Sequence, residues 1–141
     1  MPMEKSCGVI VRTSKLPRRY LILRYLQGHW SYAKGHIEPN ETEQETALRE
    51  LAEETGLAAI QLENNFRAQT QYDFGPARRR VSKKVIFFLG TTSDENVRLS
   101  SEHTDFAWLE FSAARKKLTF VNDRHVLDEV SAYLQTKGEQ P

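Results

Sequence analysis

Segment 42–56 constrains this chain more than any other, because both ends of a helix and its two faces can be read in it. Thr42, with Glu45 three residues on, fits a capping box in which each side chain satisfies the other residue's backbone N–H. Asn40 is a rival cap. Gly56 stands where a helix closes through a left-handed residue. Between these ends, Ala47, Leu48, Leu51 and Ala52 share one face at helical spacing. Glu50, Glu53 and Glu54 fall on another face, within an arc of about 100°. Such a helix has to bury one side against a larger layer while it holds three carboxylates together on the other.

The rest of the chain supplies that layer. Residues 7–11 form an apolar run suited to a buried strand, and residues 12–19, rich in Arg, Lys and Pro, read as a loop. Residues 20–26 read as a second strand, Gln27 and Gly28 turn the chain, and residues 30–33 read as a short third strand. Segments 65–74 and 80–91 are longer strand candidates, and the break at Gly75-Pro76 predicts an antiparallel hairpin. Residues 105–111 read as another short strand and residues 112–118 as a helical turn or short helix. Residues 122–134 are an amphipathic helix, with Val126, Leu127, Val130 and Leu134 at helical spacing. The expected fold class is α/β, a mixed sheet covered by helices, in a single domain over residues 1–141.

Composition narrows the function classes. Twenty basic residues face nineteen acidic ones, so the net charge of +1 argues neither for nor against nucleic acid, and any electrostatic signal is local. Cys7 is the only cysteine, which excludes an internal disulfide and a Cys-based zinc site. No apolar run approaches a membrane span, and Met1 to Lys5 has no hydrophobic segment behind it. The expectation is a cytoplasmic protein with no membrane partner.

The chemistry lies in the acidic face. Three carboxylates within one helical turn repel each other, which raises their pKa values and costs stability. A hard divalent cation reverses that argument. Oxygen ligands without His or Cys suit Mg²⁺, with Mn²⁺ an alternative, rather than zinc. For these glutamates alone, a solvated face is the commoner outcome. The surrounding pattern changes the balance: Gly35, five residues, Glu41, seven residues, then Arg49, Glu50, an apolar residue, any residue, Glu53, Glu54, any residue, Gly56 and apolar Leu57. Seven identities at ~7% each coincide by chance on the order of 10⁻⁸ per register.

Residues 35–57 thereby resemble the Nudix box without a departure. Resemblance to the Nudix hydrolases implies an α/β/α sandwich in which a loop–helix–loop binds metal. It also implies hydrolysis of a nucleoside diphosphate linked to another moiety. On that likeness Glu50 and Glu54 are metal ligands, and Glu53 is a ligand or the base that activates water. The Gly35 carbonyl also ligates, and Arg49 orients the glutamates. Glu41 and Gly56 are chiefly structural. A further carboxylate from a distant loop is expected, with Glu102 the candidate and Asp105 behind it.

Outside the box the chain resembles the asymmetric diadenosine tetraphosphate hydrolases, through Cys7-Gly8, His29-Trp30, Lys34 to His36, Tyr72, Lys83, Arg98, Glu102-His103, Trp108 and Phe120. The likeness suggests that Tyr72 and Phe120 clamp an adenine by stacking; the alternative for each is a core aromatic. Lys34, His36 and Lys83 would neutralise polyphosphate. His103 would contact phosphate or shape the loop around Glu102. Trp30 and Trp108 read as packing residues. Tyr32-Ala33 departs from the Pro-Pro usual in that subfamily, which frees the backbone before the metal loop and leaves room for another polyphosphate. The expected partner is a small nucleotide, cleaved asymmetrically to ATP and AMP if it is diadenosine tetraphosphate. Arg78, Arg79 and Arg80 with Lys83 and Lys84 form one dense basic patch. It is either a solvated hairpin or a surface for an RNA 5′ end or an inositol pyrophosphate. A pyrophosphohydrolase of such substrates is the alternative enzyme, and a non-catalytic Nudix-fold ligand sensor is the rival outside enzymology. The intact glutamates argue against the sensor.

Overall fold

The computed structural model describes residues 2–141. Its frame is a mixed sheet around two long central strands, β1 (Met3–Thr13) and β7 (Val81–Thr92). These run parallel, in register from Met3 opposite Ser82 to Thr13 opposite Thr92. Strands β2 (Tyr20–Tyr25) and β4 (Ala33–His36) both pair antiparallel with β1, β2 at Arg12 near its C-terminal end and β4 across Ser6 to Val9. Strand β3 (Trp30–Ser31) adds to β2. Strands β5 (Ile60–Leu62) and β6 (Ala68–Phe74) both pair antiparallel with β7. Strand β8 (His103–Leu109) completes the sheet beside β2.

Successive residues of a strand face opposite sides, so the apolar run in β1 feeds two cores at once. Cys7, Val9 and Val11 join Ile86 and Phe88 on one side, against Ala47 and Leu51 of α1 (Glu43–Thr55). Ile10 joins Val85, Phe87 and Leu89 on the other, against Val126, Leu127, Val130 and Leu134 of α3 (Val121–Thr136). The short α2 (Phe111–Lys117) adds Ala114 to the second core. Helices cover both faces of the sheet, as the α/β/α expectation requires.

Helix α1 begins at Thr42 with the expected capping box and ends at Gly56, whose φ is 78° and whose N–H reaches the Ala52 carbonyl. Asn40 is not the cap; it takes a left-handed φ of 69° in the preceding turn. The predicted hairpin is β6 and β7, joined through Gly75 at φ 93° and a 3₁₀ turn (Ala77–Arg79).

Strands β4 and β5 are not legible in the sequence, and β1 is legible only in part. Strand β4 consists of Ala33, Lys34, Gly35 and His36, which carry little strand propensity; pairing with Ser6 to Val9 of β1 imposes the conformation. Strand β1 is longer than its apolar run because β7 follows it along its whole length. Its Arg12 is consequently buried, with Nη2 3.3 Å from Glu139. Tyr32 and Ala33 are both buried. Tyr32 stacks edge-on against Phe87 and donates its hydroxyl to the Asp123 carbonyl at 2.7 Å. Packing and pairing thus hold the backbone before the loop without proline. Among the described residues no helix is long and apolar enough to cross a membrane.

Candidate active site

Helix α1 lies against β1 and β4, and Gly35 sets how close it comes. A Cβ at Gly35 would fall inside the Glu50 carboxyl group. The glycine is therefore required for space, with the Gly35 backbone left beside the Glu50 carboxylate.

Arg49 ties the loop to the helix with nearly all its donors. Its Nε and Nη2 grip Glu41 at 2.7 and 3.0 Å, and Nη2 also reaches the His36 carbonyl at 3.1 Å. Its Nη1 donates to Glu50 at 2.8 Å and to Glu53 at 3.3 Å. The Arg49 bonds, helped by the Thr46 hydroxyl, hold the Glu41 carboxyl down at about 2. Glu41 therefore stays an anion and braces the loop.

The three glutamates sit in different surroundings. Glu53 is 58% exposed at the rim, Glu50 borders the cavity described below, and Glu54 is 2% exposed. Neither carboxyl oxygen of Glu54 has a hydrogen-bond partner. Burial, reinforced by the neighbouring Glu50 and Glu102 carboxylates, pushes the Glu54 carboxyl from an ordinary 4.5 up to about 9. Two orphaned buried oxygens beside a second carboxylate and a close-packed backbone are a poor arrangement for a protein alone, but they suit a hard divalent cation. Among the described residues no three acidic, His or Cys side chains already close on one point, since Arg49 draws Glu50 and Glu53 toward itself.

Behind Glu54 lies the turn before β8. Arg98 N–H donates to the Thr55 carbonyl at 2.8 Å and Ser100 N–H to the Glu54 carbonyl at 3.2 Å, which pins this turn to the end of α1. The pinning brings Glu102 to the cavity, while Asp105 lies further along β8. His103 does not reach the cavity expected of a phosphate contact. Its side chain is wholly buried, with Nε2 3.3 Å from Glu54 Oε1. Burial, with Lys34 nearby, lowers its pKa to about 4, so the ring is neutral at pH 7.

The cavity measures about 800 Å³. Its lining includes Gly35, His36, Glu50 and Glu102, the lysines Lys34 and Lys83, and the aromatics Tyr72 and Phe120, both exposed. The structure thus brings together Lys34, Gly35, His36, Glu50, Tyr72, Lys83, Glu102 and Phe120, and leaves Arg49, Glu53, Glu54 and His103 outside its lining. Sequence reasoning assigned no role to His29, Tyr25 or Asp123, which also line it. Asp123 accepts from the Ser31 hydroxyl at 2.6 Å, and Lys34 Nζ donates to the same hydroxyl at 3.2 Å. Burial raises the Asp123 pKa and lowers that of Lys34, and each offsets the other's shift. An acid in the first turn of a helix ordinarily reads as a dipole preference, so the sequence signal for Asp123 was masked.

The NUDIX domain family matches residues 4–130. The chain belongs to that family. A mouse bis(5′-nucleosyl)-tetraphosphatase [asymmetrical] is 36% identical, with 92% of this chain and 95% of the relative covered. The rat protein of the same name is 35% identical over the same shares. A crystal structure of a Caenorhabditis elegans Ap4A hydrolase binary complex superposes with a TM-score of 0.78 at 25% identity, covering 94% of this chain and 98% of that one. The chain is accordingly a Nudix pyrophosphohydrolase by family, and its carboxylate helix occupies the box that the sequence resembles.

Proposed function

We propose that this Nudix enzyme hydrolyses dinucleoside polyphosphates asymmetrically, with diadenosine tetraphosphate cut to ATP and AMP, and that it requires Mg²⁺. The observation that carries the reading is one cavity whose lining holds Tyr72 and Phe120, Lys34 and Lys83, and Glu50 and Glu102 together. A nucleotide needs these three kinds of group: aromatic faces for a base, cations for its phosphates, and carboxylates at the bond that breaks. The names of the mouse and nematode relatives support the same substrate.

Tyr72 and Phe120 would stack on one base, a sequence-tolerant way to hold it. Lys34 and Lys83 would neutralise phosphate oxygens, with His36 beside them. Glu50 and Glu54 would hold Mg²⁺ with the Gly35 carbonyl, and Glu53 would complete the acidic face. A bound Mg²⁺ polarises a phosphoryl oxygen and acidifies a coordinated water. Glu53 or Glu102 would take the proton as water oxygen bonds to phosphorus and the bridging P–O bond breaks toward the leaving phosphate. Arg49 stays outside this exchange and keeps Glu50 and Glu53 in place.

Turnover of diadenosine tetraphosphate in ¹⁸O-water, read by mass spectrometry, tests the proposal. ATP and AMP with label on one defined product, formed only with Mg²⁺ or Mn²⁺, is the expected result. ADP as the sole product, or turnover indifferent to chelator, would overturn it. A second reading has one observation in its favour. Arg78, Arg79 and Arg80 are exposed on the hairpin that carries Tyr72 and Lys83. A triphosphorylated RNA 5′ end would meet those charges, and including one in the substrate panel separates the two readings.

A further inference from the structure

His103 is buried beside Glu54 but outside the cavity, so neither nucleotide binding nor proton transfer accounts for it. Its two ring nitrogens have different neighbours. Nδ1 stands 3.2 Å from the Ser100 hydroxyl, and the same hydroxyl oxygen accepts the Glu102 backbone N–H at 3.3 Å. Nε2 stands 3.3 Å from Glu54 Oε1, without the alignment of a finished hydrogen bond, and neither atom has another partner. Tyr25 closes the ring in, edge-on at 4.3 Å.

Hydrogen-bond accounting chooses between the two neutral tautomers. With the proton on Nε2, Ser100 gives its hydroxyl hydrogen to Nδ1 while its oxygen serves Glu102. Nε2–H then faces a buried carboxylate oxygen that lacks a donor. With the proton on Nδ1, the Ser100 hydroxyl hydrogen loses its acceptor and, where a bound cation keeps Glu54 ionised, a nitrogen lone pair meets its carboxylate. The first arrangement gives both ring nitrogens and the Ser100 hydroxyl a partner, and the second leaves the hydroxyl hydrogen and the Nε2 lone pair unsatisfied, a costly state for buried polar atoms.

We infer that Ser100 sets His103 as the Nε2–H tautomer, and that this N–H orients the Glu54 carboxylate for metal binding, making His103 a positioning residue. The inference rests on the reading of Glu54 as a metal ligand. Ser100 links the two halves of the site, because the hydroxyl that sets the tautomer also holds the backbone of Glu102. A donor behind a ligating carboxylate limits its rotation, and loss of such support typically weakens metal binding about 10- to 100-fold.

The 141-residue chain, ¹⁵N-labelled at histidine, tests the tautomer directly. Two-bond ¹H–¹⁵N correlations at neutral pH in saturating Mg²⁺ should show His103 protonated at Nε2 and bare at Nδ1; a proton on Nδ1, or on both, overturns the inference. Two variants test the role. His103→Gln can place an amide N–H near Nε2, whereas His103→Asn can place one only near Nδ1. Mn²⁺ binding followed by electron paramagnetic resonance should weaken about tenfold or more in H103N and stay within about threefold in H103Q. The KM for nucleotide should hardly move in either. Equal losses in the two variants, or none in H103N, would overturn the positioning role. If H103N does not fold, the tautomer and H103Q still decide. The metal reading fails separately: Mn²⁺ affinity unchanged in Glu54→Gln would remove it, while leaving the measured tautomer intact.

Discussion

Replacing Glu54 by Gln isolates the cost of burying a carboxylate beside two others. In chelator, a group whose pKa rises from 4.5 in the unfolded chain to about 9 in the fold keeps its proton longer when folded. The fold then binds more protons than the unfolded chain between those values, so stability falls as pH rises through that window. The loss is about 1.4 kcal/mol per pH unit at its steepest. From pH 5 to pH 8 it amounts to on the order of 4 kcal/mol, an upper bound because water and side-chain relaxation soften buried charges. Other groups also titrate, so the useful quantity is the stability difference between E54Q and the native sequence at each pH. Urea denaturation at fixed pH values, with EDTA present, supplies it. The buried Gln amide adds a penalty of about 1–3 kcal/mol if unpartnered, but that shifts the whole curve and leaves its slope alone. The expected result is a difference that moves steadily in favour of E54Q as pH rises. Adding Mg²⁺ should abolish it by stabilising the native sequence and not E54Q. A flat difference, or one that moves against E54Q, would refute the placement of Glu54 in a dry, carboxylate-crowded pocket.

Three other outcomes follow from the same geometry. Gly35→Ala should retain the fold but lose Mg²⁺ binding and turnover by at least about 100-fold, because the new methyl displaces the Glu50 carboxyl; circular dichroism with a turnover assay checks it. Tyr72→Ala and Phe120→Ala should each raise KM about 10- to 100-fold with kcat little changed, matching about 1–3 kcal/mol of stacking per base. Leu127→Ala, in the core between α3 and the sheet, should cost about 2–5 kcal/mol in urea denaturation without altering KM.

The features that the sequence determined by itself are those whose causes are local. The caps of α1 at Thr42 and Gly56 are satisfied within one turn, so they are legible from spacing alone. The apolar faces of α1 and α3 follow from helical period, and the β6–β7 hairpin from its glycine and proline. The reach of Arg49 to Glu53 is likewise a matter of one helical turn. Strand β4 was hidden because its residues are extended only in the company of β1. Asp123 and His29 were hidden because a cavity is made by segments that meet only on folding.

Glu53 and Glu54 carry the division furthest. They are adjacent, chemically identical and part of one motif, and nothing in the local sequence separates them. Tertiary structure exposes the first at the rim and seals the second behind Ser100 and His103. A carboxylate's pKa and its need for a cation depend on the water, donors and charges around it, and those neighbours come from a turn remote in the chain.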